Sequence, residues 1–401
     1  MNWLGRELEL DIEKVAHGGI FVARHEGRVV FVSHTLPGER VRARVFEDRG
    51  GSFCRAETIS VIEKSEHRVR HFWKAARERG AGGAEFGHID LPYQRELKAD
   101  VIEESLQRMA GVSLRPVVEA VPGDDENGGL GYRTRMQLHV DETGAVGPYR
   151  ERTHEVVETG ELPLAVEDIR ELGLHLKNWS GVKKIEIAAS NTGQLQYSVD
   201  KKLKGDERLV ERAAGRTFRI SGGGFWQVHR GAANVLTDAV LGAVAAAGFN
   251  KEAENLDLYG GVGLFAGALA SRFGVDSRIT SVEASKQATA DAVLNLADLK
   301  NVKALSAPTD RFLAGVLKGD RDGYAEATVI LDPPRSGAGA AVIAQLLELE
   351  PRHIVYVACD PVAFARDLKQ LLPDYELVNL RAFDLFPHTH HVELVASLIR
   401  K

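Results

Sequence analysis

The stretch NLDLYGGVGLFAGALA, residues 255–270, decides the fold of the C-terminal part of the chain. It joins a short apolar run, a glycine turn and an apolar helical segment, a pattern typical of a buried strand followed by a helix. From about residue 240 onward strand-like and helical segments alternate, which predicts a doubly wound parallel α/β sheet with helices on both faces. The predicted strands are Asn255–Tyr259, Arg278–Val282, Thr328–Leu331, His353–Ala358, Glu376–Phe383 and Val392–Ile399. The last two are too close for a crossover helix, so we expect a terminal antiparallel hairpin.

Four polar or glycine-rich motifs come directly after these predicted strands. They are Tyr259–Gly263, Glu283, Asp332–Arg335 and Cys359–Pro361. The carboxyl ends of parallel strands share one edge of an open α/β sheet, and ligands bind at that edge. We therefore expect the four motifs to form one site.

The glycine turn is compatible with two kinds of ligand. Gly261, Gly263 and Ala266 have the spacing of a dinucleotide-binding turn, and Glu283 follows about 20 residues later. A nicotinamide-dependent dehydrogenase and an S-adenosylmethionine enzyme both fit, and in either case Glu283 would hold ribose hydroxyls. The two prolines of Asp332–Arg335 remove backbone donors and predict a stiff, extended loop. Such a loop suits a flat ring beside a methyl donor better than a hydride acceptor.

A thiol and a carboxylate are the candidate reactive groups. A lone cysteine after an apolar run is more often inert core. Cys359, however, ends its run and precedes Asp-Pro, which predicts a sulfur atom at the sheet edge. The other cysteine, Cys54, falls in the N-terminal part, where we interpret it as structural. Glu393 opens a hydrophobic strand, where a carboxylate is costly unless it is functional or paired.

Three histidines close to Glu393 raise the question of a metal. His388, His390 and His391 are too closely spaced to share a tetrahedral site easily, and no thiol joins them. We predict no metal.

The first 63 residues or so predict a small closed barrel of the oligonucleotide-binding kind. The predicted strands are Leu8–Ile12, Gly19–Arg24, Arg28–Ser33, Arg40–Glu47 and Arg55–Ile62. Positive and negative side chains roughly balance there, so the charge does not separate an RNA-binding barrel from an adaptor.

The middle of the chain reads as an α+β region that follows a basic and aromatic run. His67–Lys74, with Arg77 and Arg79 after it, fits phosphate contacts and base stacking, but also a solvated linker. Helical spacing of apolar residues predicts a helix over 91–109. Two hairpins are predicted, with turns at 141–144 and 191–193, and Arg133 and Arg135 share one face of the first.

Composition narrows the class of protein. A chain of 401 residues exceeds what one core supports, so two or three domains are expected. Two cysteines exclude a disulfide scaffold, a four-cysteine zinc site and a four-cysteine iron–sulfur cluster, and suit a reducing cytoplasm. The N-terminus has no secretory h-region, and the apolar stretches are too short to span a bilayer. The net charge of −6 means that any nucleic-acid site must come from local patches.

Taken together, these motifs resemble the RNA uracil-5-methyltransferase family over nearly the whole chain. The segments that carry the resemblance are LDLYGGVGLFAGALA, ILDPPRSGAG, YVACDPVAFARDL, FDLFPHTHHVELVASL and Phe225–Val228. The resemblance implies an N-terminal TRAM barrel over residues 1–64, a central α+β RNA-binding region over 65–235 and a methyltransferase domain over 236–401. Helix 91–110 would then pack on the methyltransferase domain.

The resemblance also implies roles for individual residues. Gln227, Tyr259, Glu283 and Asp332 would contact S-adenosylmethionine. Cys359 would be the nucleophile and Glu393 the general base, side by side because the last strand would run antiparallel to the strand before Cys359. The expected product is 5-methyluridine in structured RNA, either tRNA or 23S rRNA, made by a cytoplasmic protein that is monomeric and independent of membranes.

The chain departs from the family pattern at three places. Ala81 and Ala84 stand where many members carry a Cys-Gly-Gly-Cys pair, so no iron–sulfur cluster is expected. Asp360 replaces an Asn that often follows the nucleophile, and Gly260 replaces a Cys that often follows Tyr. Open alternatives are RNA cytosine-5 methylation, a catalytically silent RNA-binding protein and a nicotinamide-dependent oxidoreductase.

Overall fold

The computed structural model describes residues 2–401 and begins with a closed β-barrel. Its strands are β1 (Glu7–Ala16), β2 (Ile20–His25), β3 (Arg28–Ser33), β4 (Arg40–Glu47) and β5 (Phe53–Glu63). Buried and exposed side chains alternate along β1 and β4, because successive residues of a strand point to opposite faces. Parallel pairing of β3 with β5 and antiparallel pairing of β1 with β4 close the barrel. The predicted barrel is confirmed, and Cys54 is buried in its core.

Two helices connect the barrel to the rest of the chain. They are α1 (Lys74–Arg79) and α2 (Leu91–Ser105), and α2 continues as a π-helical turn over Leu106–Ala110. The Asp90 carboxylate caps α2 by accepting a hydrogen bond from the Tyr93 amide at 2.9 Å. Leu97 packs into the barrel core and Ile102 into the core of the C-terminal sheet, so α2 contacts both.

Much of the basic and aromatic run His67–Lys74 is structural. Arg68 Nε donates to Glu39 Oε1 of the barrel at 2.5 Å, and the Arg68 side chain is largely buried. Trp73 is also buried, and its Nε1 donates to Thr159 Oγ1 at 3.3 Å. The interpretation of this run as an RNA-binding surface is therefore wrong for Arg68 and Trp73, which hold neighbouring segments together.

The central region is built around a five-stranded sheet. The next elements are β6 (Val118–Ala120), β7 (Arg135–Val140), β8 (Val146–Gly147), α3 (Glu167–Glu171), β9 (Lys184–Ala189), β10 (Leu195–Val199) and β11 (Lys202–Gly205). The sheet order is β11-β10-β9-β7-β8. Both predicted hairpins are confirmed, since β7 pairs antiparallel with β8 and β9 with β10. Gly144 and Gly193 take φ of +87° and +83° in the turns, a conformation that glycine adopts readily.

Arg133 and Arg135 do not form the exposed pair that the sequence predicts. Arg133 precedes β7 and makes isolated bridges to His229 and Ala165. The Arg135 side chain is mostly buried and lies 3.6 Å from the Glu211 carboxylate. This burial removes Arg135 from any surface that RNA could contact.

A further hairpin joins the central region to the C-terminal part, and the sequence analysis did not predict it. It consists of β12 (Arg208–Ala213) and β13 (Arg216–Ser221), and α4 (Ala232–Ala247) follows. Phe218 and Ile220 of β13 pack into the C-terminal core. The expected boundary at residues 235 and 236 falls inside α4, and side chains of α4 pack into the same core as the hairpin.

The C-terminal domain contains a mostly parallel sheet. Its further elements are β14 (Asn255–Leu258), α5 (Leu264–Phe273), β15 (Ile279–Glu283), α6 (Lys286–Asn295), β16 (Val302–Ser306), α7 (Thr309–Val316), β17 (Thr328–Leu331), α8 (Ala340–Leu349), β18 (His353–Ala358), α9 (Pro361–Leu371), β19 (Tyr375–Asp384) and β20 (Glu393–Arg400). The sheet order is β16-β15-β14-β17-β18-β20-β19-β6. Strand β20 pairs antiparallel with both β18 and β19, which confirms the predicted terminal hairpin. Strands β16 and β6 were not predicted.

Helices cover both faces of this sheet. One apolar cluster joins it to α4, α5 and α6, and a second joins it to α2, α7, α8 and α9. The layered architecture predicted from the alternating strands and helices is confirmed. Within residues 2–401, the helices are too short or too polar to cross a bilayer.

Candidate functional site

A cavity of about 990 Å³ opens where β14, β15, β17 and β18 end and β20 begins. The structure brings all six predicted site residues to its wall. They are Gln227, Tyr259, Glu283, Asp332, Cys359 and Glu393. The cavity lies at the carboxyl edge of the parallel strands, where ligands bind in open α/β sheets.

The glycine turn after β14 approaches the cavity closely with its backbone. A Cβ atom at Gly260 would lie 2.1 Å from Ser281 Oγ, so packing excludes a side chain there. Gly261 takes φ of +55° and has open space where a side chain would project. The Glu283 carboxylate accepts hydrogen bonds from the amides of Gly261 (3.1 Å) and Ser285 (2.6 Å). A carboxylate has about four acceptor positions, so Glu283 keeps capacity for a ligand's hydroxyls.

Acidic side chains whose negative charge is disfavoured by burial are concentrated at this cavity. Burial, followed by the nearby charge of Asp257, raises the pKa of Asp332 to about 7. Burial also raises the pKa of Asp257 to about 7, although the amide of Ala266 donates to it. The exposed Arg335 guanidinium is the cation that lowers the pKa of both Cys359 and Glu393.

Cys359 and Glu393 lie beside each other because of the strand register. Ala358 of β18 pairs with Leu394 of β20, so the residues that flank this pair are neighbours. Burial, then the charges of Glu393 and Asp332, raises the pKa of the Cys359 thiol to about 12. Burial, then Asp332, raises the pKa of Glu393 well above its ordinary value. Near neutral pH, without a ligand, the Cys359 thiol therefore holds its proton.

Gln227 reaches the cavity from the segment before α4. Thr134 of the central region donates its backbone N–H to the Val228 carbonyl at 2.8 Å, which anchors this segment. Phe225 stands at the cavity wall with 69% of its surface exposed. The site is thus assembled from both the central region and the C-terminal sheet.

The histidines before β20 have separate protein partners. His388 is buried, contacting the Gln94 side chain and the Gly128 carbonyl. His390 Nδ1 makes a short hydrogen bond to Glu85, and His391 Nε2 accepts from Arg335 at 3.3 Å. One possible metal-ligand atom from each of Glu85, His390 and His391 lies within 4.8 Å of the other two. The spacing of these residues in the sequence did not indicate this cluster. The Arg335 cation beside His391 opposes a metal ion there.

Ala81 and Ala84 lie in an apolar cluster with Trp73 and Tyr132. Both are fully buried. Their methyl groups offer no ligand atom at the position where many members of the resembled family carry cysteines.

Sequence reasoning missed several side chains around the site. Arg133 lines the cavity but was assigned to a surface hairpin, and His391 was considered only as a metal ligand. His17 of the barrel contacts Asp360, the residue after Cys359. No sequence signal connects His17 with the site, because the contact depends on how the barrel packs on the sheet.

The chain is similar to known RNA methyltransferases along nearly its whole length. The tRNA (Uracil-5-)-methyltransferase family profile matches residues 217–401, and the TRAM domain profile matches residues 3–57. An uncharacterized RNA methyltransferase of Streptomyces avermitilis is 39% identical, with 98% of each chain covered. Another from Bifidobacterium longum is 35% identical, with 98% of this chain and 97% of the relative covered.

A solved structure shares the fold along nearly the whole chain. It is the Pyrococcus abyssi tRNA (uracil-54, C5)-methyltransferase in complex with S-adenosyl-L-homocysteine, with a TM-score of 0.73 at 23% identity. The match covers 98% of this chain and 99% of that chain. The fold and the cavity define an S-adenosylmethionine-dependent methyltransferase with an N-terminal TRAM barrel. The chain belongs to the RNA (uracil-5-)-methyltransferase family. The dehydrogenase alternative for the glycine turn is therefore wrong.

Proposed function

We propose that this enzyme methylates C5 of a uridine in tRNA or 23S rRNA through a covalent bond between Cys359 and C6 of the base. One observation carries the proposal: Cys359 and Glu393 meet at the wall of the cavity that the glycine turn also lines. A thiol and a carboxylate at one wall are the two groups that C5 methylation of uracil needs.

The chemistry of uracil explains why both are needed. C5 is a poor nucleophile, and no group in a protein at neutral pH deprotonates it directly. When the Cys359 thiolate bonds to C6, the ring electrons form an enolate whose C5 attacks the methyl carbon of the sulfonium donor. The methyl–sulfur bond breaks in the same step, its electron pair stays on sulfur, and the neutral thioether leaves. Glu393 then takes the C5 proton, the sulfur–C6 bond breaks, and the electron pair returns to sulfur as the thiolate leaves.

The charges of the site suit a cationic methyl donor. S-adenosylmethionine supplies an electrophilic methyl group on a positively charged sulfur. Burial raises the pKa values of both Asp332 and Glu393, so it disfavours their negative charge. A cation in the cavity would stabilise these carboxylates and the Cys359 thiolate together. Gln227, Tyr259, Glu283 and Asp332 are the residues that we assign to holding the donor.

This charge balance makes the Cys359 thiol a measurable reporter. S-adenosylmethionine should lower the apparent pKa of the thiol by about one to two units, whereas neutral S-adenosylhomocysteine should lower it little. The measurement is the rate of alkylation by iodoacetamide against pH, with Cys359→Ala as the blank. Equal shifts with both compounds would show that the donor's charge does not act on the thiol.

Glu283 is expected to hold the donor's ribose. Glu283→Gln removes the charge that strengthens its hydrogen bonds, so donor affinity should fall about 10- to 100-fold in calorimetry. Glu254→Gln, at the opposite edge of the sheet before β14, is the matched control and should bind like the wild type. Unchanged affinity in Glu283→Gln would remove this assignment.

The target base must leave its stack to reach Cys359, which favours uridines in loops. Phe225, largely exposed at the cavity wall, offers a face on which an unstacked base can lie. Arg133 and Arg335 line the same cavity and carry the positive charge that phosphates need. The barrel supplies further surface for RNA outside the cavity.

The deciding experiment incubates the enzyme with labelled S-adenosylmethionine and total cellular RNA. Separated tRNA and rRNA fractions are digested, and the labelled nucleoside is identified by mass spectrometry. Label in 5-methyluridine supports the proposal and tells which RNA is the substrate. Label in 5-methylcytidine would instead establish cytosine-5 methylation, and donor binding without transfer to RNA would indicate a silent RNA-binding protein.

A further inference from the structure

A contact between the barrel and the loop after Cys359 has no role in the steps above. His17 lies in the turn between β1 and β2, and its Nε2 donates to Asp360 Oδ2 at 2.8 Å. The other oxygen of Asp360, Oδ1, accepts from the Ala363 amide at 2.8 Å and caps α9. Asp360 is therefore held by the catalytic domain on one side and by the barrel on the other.

The same junction encloses a second, smaller cavity of about 130 Å³. The barrel turn forms one wall, and Cys359 belongs to the walls of both the small and the large cavity. Gly19 of the turn approaches the catalytic domain so closely that a Cβ atom would lie 2.8 Å from His390 Cβ. Cys359 therefore lies between the two cavities, and the barrel turn forms the opposite wall of the smaller one.

We propose that His17 is a positioning residue for Cys359. Its ion pair with Asp360 docks the barrel on the nucleophile loop, residues 359–361, and holds the thiol at the edge of the large cavity. This rests on the proposed function of Cys359. Because Asp360 is adjacent to Cys359 in the chain, a rotation of the Asp360 peptide would move the sulfur. The helix cap holds only Oδ1 of Asp360, and His17 holds Oδ2 from the barrel side.

The contact depends on pH in a defined direction. The hydrogen bond to Asp360 raises the pKa of His17 above its ordinary value, although burial opposes the rise. The ionic contact is therefore present between the lowered pKa of Asp360 and the raised pKa of His17, and it is lost as pH rises through the latter. The other charged or titratable side chains around the small cavity are Lys98, Arg335, Cys359, His390 and His391. They are common to the wild type and a His17 variant, so a ratio of the two rates isolates His17.

The test compares His17→Ala, Asp360→Asn and the double variant with the wild type. Asp360→Asn keeps a side chain that caps helices but removes the charge. For His17→Ala we expect a loss of about three- to fivefold in kcat with KM for the donor unchanged, as for a half-exposed ion pair. The ratio of the wild-type kcat to the variant kcat should be largest at about pH 6 and should approach one at high pH. In the Asp360→Asn background, His17→Ala should cause no further loss.

Lys14→Ala is the matched control. Lys14 of β1 makes a 2.8 Å ion pair with Glu104 of α2, so it also fixes the barrel but does not touch the nucleophile loop. Its kcat should equal that of the wild type. An equal loss in Lys14→Ala, or equal losses from His17→Ala in both Asp360 backgrounds, would overturn the positioning role.

Alkylation of Cys359 by iodoacetamide provides a readout without RNA. Loosening the loop should expose the half-buried thiol, so His17→Ala should be alkylated faster than the wild type. Unchanged alkylation would contradict the proposal. Absence of methylation by the wild type would instead refute the proposed function, and the alkylation comparison would still test His17.

Discussion

Replacement of Cys359 by alanine is expected to abolish methyl transfer to RNA, with a loss of about 10⁴-fold or more. Without a sulfur–C6 bond, C5 of uracil has no enolate from which to attack a methyl group. The same variant should form no covalent complex with RNA containing 5-fluorouridine, because the trapped species needs both the thiol and a C5 position that carries no proton. Denaturing gel electrophoresis measures the covalent complex, and transfer of the labelled methyl group to RNA measures turnover.

Cys54→Ala is the natural control because the chain contains only two cysteines. Cys54 is 1% exposed in the barrel core, so its replacement should lower stability slightly and leave the covalent complex intact. Donor affinity of Cys359→Ala, measured by calorimetry, should stay near the wild-type value. A fluorouridine complex that persists in Cys359→Ala would show that another group attacks the base.

The elements that sequence predicted best are those with a strong local pattern. The alternating burial of β1 and β4, and the apolar runs of β17 and β18, follow directly from side-chain periodicity. Strand β16 was not predicted because most side chains of Val302–Ser306 are half-buried or exposed at the sheet edge, so the segment lacks the apolar run of a buried strand. Strand β6 has only three residues and becomes a strand by pairing with β19, far along the chain.

Charged residues were the least predictable from sequence. Arg68 and Arg135 lie in segments whose basic residues suggested an RNA-binding surface. Arg68 instead lies against the Glu39 carboxylate, and Arg135 lies against that of Glu211. These partners are distant in the chain, and only the packing of the regions brings them together. The approach of Cys359 to Glu393 could be anticipated because sheet order determines it. The approach of His17 to Asp360 could not, since it depends on how two domains dock.

Replacement of Glu393 by glutamine should separate methyl transfer from product release. Glu393→Gln removes the base that takes the C5 proton but nearly preserves the volume of a side chain that is only 8% exposed. The thiol can still add to C6 and the methyl group can still move to C5. The methylated adduct should then persist, and release should slow by about 10²- to 10⁴-fold.

This outcome would be visible on ordinary RNA, without a fluorinated base. Labelled methyl should run with the protein on a denaturing gel in Glu393→Gln and with free RNA in the wild type. Glu85→Gln is the matched control, because Glu85 contacts His390 outside the large cavity and should release its product normally.

The environment of Glu393 also explains the timing of proton removal. While the cationic donor is bound, its charge favours the Glu393 carboxylate over the acid. After the methyl group has moved, that positive charge is gone, and burial together with Asp332 again raises the pKa of Glu393. Glu393 is therefore expected to gain proton affinity at the step in which C5 must lose its proton. Release of labelled RNA from Glu393→Gln at the wild-type rate would mean that a different group, such as Asp332, accepts this proton.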